Sequence, residues 1–187
     1  MSPRRRPGRW TWRTDAGLAG ELTAEPAKAG EVAFNSNRRG HLRVGASGRH
    51  FEYADGTVFF WIGDTNWPLN TVRCGLDPDH PDEDGYGAGA FYAYVADRKE
   101  KGFSVIQTSF LRSYLGSPQR NEGGYPFPSN AFDQNGEPQD NFDFSQLNPE
   151  YFRFLDLRMI HLWGEGLVLA GAPNWIGPHV AMQLEDA

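Results

Sequence analysis

Hydrophobic and polar positions alternate with a period of two in Leu42-Arg43-Val44 and His50-Phe51-Glu52-Tyr53, the spacing of strands buried on one face. Asp55-Gly56 is a tight-turn pair, so these segments predict a hairpin that runs on into Thr57-Val58-Phe59-Phe60-Trp61-Ile62. That run does not alternate. Consecutive β-formers without alternation are expected to be buried on both faces, as central parallel strands are. The period then changes. From about Ala88 to Lys101, the residues Phe91, Tyr94, Val95 and Arg98 recur at three- and four-residue spacing, which predicts a helix closed by Gly102. Phe103-Ser104-Val105-Ile106-Gln107-Thr108 follows as a strand. Strand, helix and strand with a short second joint make a βαβ unit, which predicts parallel pairing.

The theme repeats after residues 109–148, a connection far longer than the usual ~4–6 residues. Its aromatic residues (Phe110, Tyr114, Tyr125, Phe127, Phe132, Phe142 and Phe144) are expected to pack it down. Asn148-Pro149-Glu150 reads as an N-cap, a proline at the first helical position and an acid in the first turn. Phe152, Leu155, Met159, Leu162 and Trp163 are expected to form that helix's apolar face, with Gly164 and Gly166 ending it. Leu167 to Ala172 is a third strand, and Pro173-Asn174-Trp175 turns away. Val58–Ile62, Val105–Thr108 and Leu167–Ala170 are therefore expected as neighbouring parallel strands with helices on one side. The stretch before residue 40 holds one β-like patch, Trp10-Thr11-Trp12-Arg13, and too few apolar residues to fold alone. It divides the chain into a tail or linker over residues 1–39 and a main portion over 40–187.

Composition narrows the function classes. Hydrophobic residues at 39% and aromatic residues at 14% supply a real core. A net charge of −6 argues against a nucleic-acid partner and gives no pull toward anionic membranes. No apolar run approaches the ~20 residues of a membrane span. The single Cys74 rules out an internal disulfide and a zinc site built on several thiolates. The acidic stretch 77–85 lacks the alternation and closing Glu of an EF-hand, so a solvated loop is expected rather than a metal site. The histidines are dispersed, and phosphate-binding glycine loops are absent, so no cofactor is expected. The charged opening Met1 to Pro7 is followed by Trp-Thr-Trp-Arg rather than an apolar stretch, so it is not expected to be a complete secretory signal.

A family resemblance is carried by Gly40-His41-Leu42-Arg43-Val44, Gly48-Arg49-His50-Phe51, Asp55-Gly56, Phe59-Phe60-Trp61 and Gly63-Asp64-Thr65-Asn66-Trp67. Together with Asp97-Arg98, Lys101-Gly102-Phe103-Ser104-Val105-Ile106-Gln107 and Asn148-Pro149-Glu150-Tyr151-Phe152, the sequence resembles the apiosidase-like glycoside hydrolases of family 140 and their relatives. Trp12-Arg13-Thr14 and Gly17-Leu18-Ala19-Gly20 are similar to the tail of the β-sandwich that precedes such barrels. The resemblance implies an α/β fold, the N-terminal part of a (β/α)8 TIM barrel with a leading β-hairpin and about three βα units. It implies hydrolysis of plant cell-wall, pectic glycans, a carbohydrate partner, and a family often periplasmic or secreted. A full barrel takes about 250 residues, so the barrel is expected to be incomplete here. The resemblance places both catalytic carboxylates after the fourth and seventh strands, beyond Ala187. Catalytic residues are accordingly not assigned, and the missing remainder of the barrel is the expected protein partner.

Candidate sugar-binding residues follow from position. Asp64, at the end of the first expected parallel strand, offers a carboxylate to sugar hydroxyls, or it caps the next turn through backbone N–H groups. Trp67 and Trp175 sit just past strand ends, where a flat indole stacks on a sugar ring or packs in the core. Gln107 and Asn174 carry amides suited to vicinal hydroxyls, or serve as loop anchors. Two function classes remain: a glycoside hydrolase fragment whose residues bind substrate, and a non-catalytic carbohydrate-binding or interaction module.

Overall fold

The computed structural model describes residues 8–77, 89–111, 120–129 and 142–173. Asn174 and Trp175, with Tyr114 and Phe132 of the long connection, lie outside them. The chain opens with an antiparallel hairpin, β1 (Gly8–Arg13) against β2 (Ala19–Ala24), followed by a short helix α1 (Ala29–Phe34). A second, three-stranded antiparallel sheet has the order β3 (Leu42–Val44), β4 (Phe51–Tyr53), β5 (Val58–Phe59). The third sheet is parallel: β6 (Gly63–Thr65), β7 (Val105–Ser109) and β8 (Val168–Ala172), side by side in that order. Helix α2 (Ala90–Glu100) connects the first pair and α3 (Pro149–Gly164) precedes β8. This is a mixed α/β architecture with the expected strand–helix–strand repeat.

Local signals account for most boundaries. Gly56 takes φ +90° in the β4–β5 turn, where Asp55 Oδ1 accepts from Thr57 N at 2.9 Å. Gly102, with φ +78°, ends α2, and the Phe103 N–H donates back to the Arg98 carbonyl at 3.0 Å. Asn148 caps α3 by accepting from Glu150 N at 3.1 Å, with Pro149 in the first turn.

Residues 57–62 depart from the single buried strand expected of them. Val58–Phe59 pairs antiparallel with β4, residues 60–62 belong to no strand, and parallel pairing starts at Gly63. Val58, Phe60 and Trp61 are exposed, Phe60 by 75%. The physical reason is Ser104. Its hydroxyl accepts from Ile62 N at 2.9 Å and donates to the Phe60 carbonyl at 2.6 Å, while Ser104 N and Val105 N donate to the Ile62 carbonyl. A side chain thus replaces ladder bonds where the chain passes from one sheet to the next.

The parallel sheet is covered differently on its two faces. Ile106, Leu167 and Leu169 face the helices and pack with Phe91, Val95, Leu162 and Leu69. Val105 and, beside it, Val168 and Ala170 meet Tyr53 and Phe59 of the small antiparallel sheet near the strand starts. The buried positions of α3 are Tyr151, Leu155, Arg158 and Leu162, whereas Met159 and Trp163 of the expected apolar face are exposed. Arg158 rotates the face. Its guanidinium is buried, donates to both Glu122 carboxylate oxygens at 2.9 Å and to the Cys74 carbonyl at 3.1 Å, and lies over the Phe91 ring. A charged residue is thereby a core position, held by its ion pair. Asn35 and Asn37, also buried, donate to the Trp163, Gly164 and Leu167 carbonyls, so the segment before β3 caps the C-terminus of α3.

Part of the long connection is pinned as its aromatics suggested, though by polar groups. Asn121 Nδ2 donates to the Tyr151 carbonyl at 3.0 Å and to Asn70 Oδ1 at 3.3 Å, and Asn70 donates to the Tyr151 hydroxyl at 2.8 Å. The Tyr151 hydroxyl in turn donates to the Phe110 carbonyl. Gly123 approaches the first turn of α3 so closely that a Cβ would lie 2.4 Å from Glu150 backbone atoms. Phe127 and Phe144 meet edge to face.

Candidate carbohydrate-binding site

Side chains alternate across a strand, and the packing fixes which way each set points. On β7, Ile106 and Thr108 share the helix side, while Val105, Gln107 and Ser109 share the other. On β6, Asp64 turns to the helices, leaving Gly63 and Thr65 on the opposite side. Register then places Thr65 beside Gln107 and Gln107 beside Ala170, with Ser109 beside Ala172 one pleat further on. Thr65, Gln107 and Ser109 therefore form a polar group at the C-terminal ends of the strands, away from the small sheet that covers the strand starts. Open α/β sheets and barrels gather ligands at that end.

The two faces satisfy their polar atoms unequally. Asp64 Oδ2 accepts from Arg98 Nε at 2.6 Å and from the Tyr94 hydroxyl at 3.0 Å, and Oδ1 accepts from Thr65 N at 2.8 Å. Partial burial pushes the Asp64 pKa up, but these hydrogen bonds and the Arg98 charge outweigh it and hold the carboxyl below its usual range. Burial, reinforced by the Asp64 carboxylate, pushes the Tyr94 hydroxyl pKa well up, so it stays a donor. The Thr108 hydroxyl donates to the Trp67 carbonyl at 3.4 Å. On the opposite face, the side chains of Thr65 and Gln107 make no hydrogen bond among the described residues. The Ser109 hydroxyl is fully buried without a partner among the described residues.

The expected site residues are thus partly brought together. Gln107 stands on the open face, half-buried, with its carbonyl accepting from Asn66 N at 2.9 Å. Trp67 opens a short 3-10 turn, Trp67–Asn70, directly after β6 and is half-buried at the same end. Asp64 is at the expected level but faces the helices, where it serves as an anchor between β6 and α2. Asn174 and Trp175 are outside the described residues. Sequence reasoning passed over Thr65 and Ser109. The signal was available in the spacing, since both continue the period-two row of Gly63 and Gln107.

Cys74 is buried, and that burial pushes its thiol up to about 11, so it is protonated and unreactive at neutral pH. Among the described residues, no group of three His, Cys, Asp or Glu side chains is placed to hold a metal ion. No helix among them is long and apolar enough to cross a membrane. A groove of about 470 Å3 lies at the other end of the parallel sheet, between residues 23–31 and Trp163.

The profile of the apiosidase-like catalytic domain matches residues 46–186. The chain belongs to the apiosidase-like family. Solved structures agree on the fold. A "putative glycoside hydrolase" from Bacteroides vulgatus aligns over 89% of this chain and 30% of its own, with 22% identity and a TM-score of 0.62. A family 5 glycoside hydrolase from the same organism aligns over 81% of this chain and 28% of its own, at 21% identity and a TM-score of 0.54. A third structure, named as a glycoside hydrolase, shares 22% identity over 74% of this chain and 26% of its own, with a TM-score of 0.50. The apiosidase-like chain spans about three tenths of the length of these structures. Among curated proteins no sequence matches it.

Proposed function

We propose that this chain forms the first three βα units of a glycoside hydrolase barrel and supplies residues that bind the sugar, the substrate being a pectic glycan. The observation that carries this reading is the pair of hydrogen-bonding side chains, Thr65 and Gln107, at the C-terminal ends of parallel strands and without a side-chain partner among the described residues. A hydroxyl and a carboxamide present both donors and acceptors, which is what vicinal sugar hydroxyls require. Trp67, at the same end, adds an aromatic surface for the C–H face of a ring. Asn174 and Trp175 extend the set in sequence, immediately past β8.

Glycosidic hydrolysis needs two carboxyl groups flanking the scissile bond, roughly 5–5.5 Å apart for retention and 6.5–9.5 Å for inversion. Asp64 is committed to Arg98 and Tyr94, with a pKa held low, so it neither donates a proton at neutral pH nor reaches the open face. The chain's contribution is then orientation, and the reacting carboxyls come from elsewhere in the enzyme. This same separation favours a second reading, a carbohydrate-binding module that cleaves nothing.

The test is to incubate the 187-residue chain with apiose-bearing pectic oligosaccharides, following binding by calorimetry and sugar release by chromatography. Binding without release is expected. Release with turnover overturns the orienting role, and absence of binding overturns the site. Release only by a longer protein that continues past residue 187 selects the hydrolase over the binding module.

A further inference from the structure

Ser109 ends β7 with its side chain fully buried and its hydroxyl without a hydrogen-bond partner among the described residues. Such a group carries the desolvation cost of burial with no compensating bond. Native structures rarely leave it so without a use. Its surroundings explain why no backbone group satisfies it. The neighbouring backbone groups are engaged elsewhere: Phe110 N donates to the Ala172 carbonyl at 2.9 Å, the Phe110 carbonyl accepts from Asn70 and the Tyr151 hydroxyl, and the Ser109 carbonyl accepts from the Thr108 hydroxyl at 3.4 Å. The cross-strand neighbour Ala172 offers only a methyl group. On the same face, two residues back and about 7 Å along the strand, stands the other unpartnered polar side chain of β7, the Gln107 carboxamide. Three rotatable bonds let that amide cross the gap.

We infer that Ser109 is a positioning residue for Gln107: its hydroxyl takes one end of the carboxamide and turns the other toward a bound sugar. The inference rests on the sugar-binding reading of this face. A serine hydroxyl donates to an amide oxygen or accepts from an amide N–H, so either orientation of Gln107 is held by the same atom. Before binding, water serves the half-exposed amide. A sugar that displaces this water leaves the amide to find its second partner inside the protein, and Ser109 is the unused one. The orphaned hydroxyl is in this view a cost of the empty state that ligand binding removes.

The experiment is a thermodynamic cycle on the 187-residue chain with Ser109→Ala, Gln107→Ala and the double variant, measuring thermal midpoint and affinity for apiose-bearing pectic oligosaccharides. Ser109→Ala is expected to keep or raise the midpoint, because it removes an unsatisfied group, while weakening affinity about fivefold, the order expected for one hydrogen bond. On the Gln107→Ala background, Ser109→Ala is expected to change affinity no further. A lowered midpoint with unchanged affinity overturns the inference in favour of a structural hydroxyl. Independent, multiplying losses in the double variant overturn it too, since Ser109 then acts without Gln107. Unchanged affinity in Gln107→Ala itself defeats the sugar-binding reading rather than the coupling.

Discussion

On the helix side of the parallel sheet, Asp64 is held by Tyr94 and Arg98, Thr108 donates to a carbonyl, and Arg158 of α3 is buried on Glu122, with its Nε alone left without a partner among the described residues. On the opposite side, at the adjacent positions of the same strands, Thr65, Gln107 and Ser109 have no side-chain partner among the described residues. Both sets are polar, and Asp64 and Thr108 sit on the same short strands as the open-face set. The proposed sugar-binding role accounts for the difference. Polar groups that stabilise a fold are found paired, because leaving them unpaired in the interior costs free energy. Polar groups that recognise a ligand are kept available, and the fold tolerates the loss elsewhere. The helix side therefore predicts sensitivity of stability, and the open side predicts sensitivity of binding.

The contrast breaks most visibly at Arg158. Arg158→Met leaves the Glu122 carboxylate partly buried without its cation, which should destabilise the chain by about 4 kcal/mol. Urea unfolding followed by circular dichroism reads this directly. Tyr151→Phe removes the hydroxyl shared by Asn70 and the Phe110 carbonyl, and a loss of about 1 kcal/mol is expected in the same experiment. A subtler effect belongs to Asp64. Its folded pKa is depressed, so its contribution to stability is complete above the unfolded carboxyl value of about 4 and disappears as pH falls through the lower folded value. Stability measured from pH 6 down to pH 2 should fall less steeply in Asp64→Asn than in the parent chain. An equal slope in both would show that the Arg98 and Tyr94 contacts carry no net stability. None of these three changes should alter sugar affinity in the fraction that remains folded.

Much of the helix side was legible from the sequence, and the reasons are local. Asn148-Pro149-Glu150 starts α3 and Gly102 ends α2 because caps act within a turn of where they stand. Asp55-Gly56 made its turn for the same reason. The errors came from partners distant in sequence. Residues 57–62 look like one buried strand until the Ser104 hydroxyl, more than forty positions on, is seen to take their backbone bonds. Met159 and Trp163 read as core positions of α3 until Glu122, on the long connection, is placed against Arg158 and turns that position inward. At the candidate site, Gln107 and Trp67 stand at the strand ends where the sequence placed them, but a shift of strand start from Val58 to Gly63 set Asp64 inside β6 and gave the open face to Thr65. Period two tells which residues share a face, and only the packing tells which face is covered.

The most direct test pairs affinity with stability in Thr65→Ala/Gln107→Ala. Titration calorimetry with an apiose-bearing pectic oligosaccharide and a thermal melt, both on the 187-residue chain, should show affinity reduced at least tenfold, as expected for two lost hydrogen bonds, with stability changed by less than about 0.5 kcal/mol. Undiminished affinity, or a destabilisation comparable with Tyr151→Phe, would contradict the account by showing that the open face is part of the scaffold and not of a binding site.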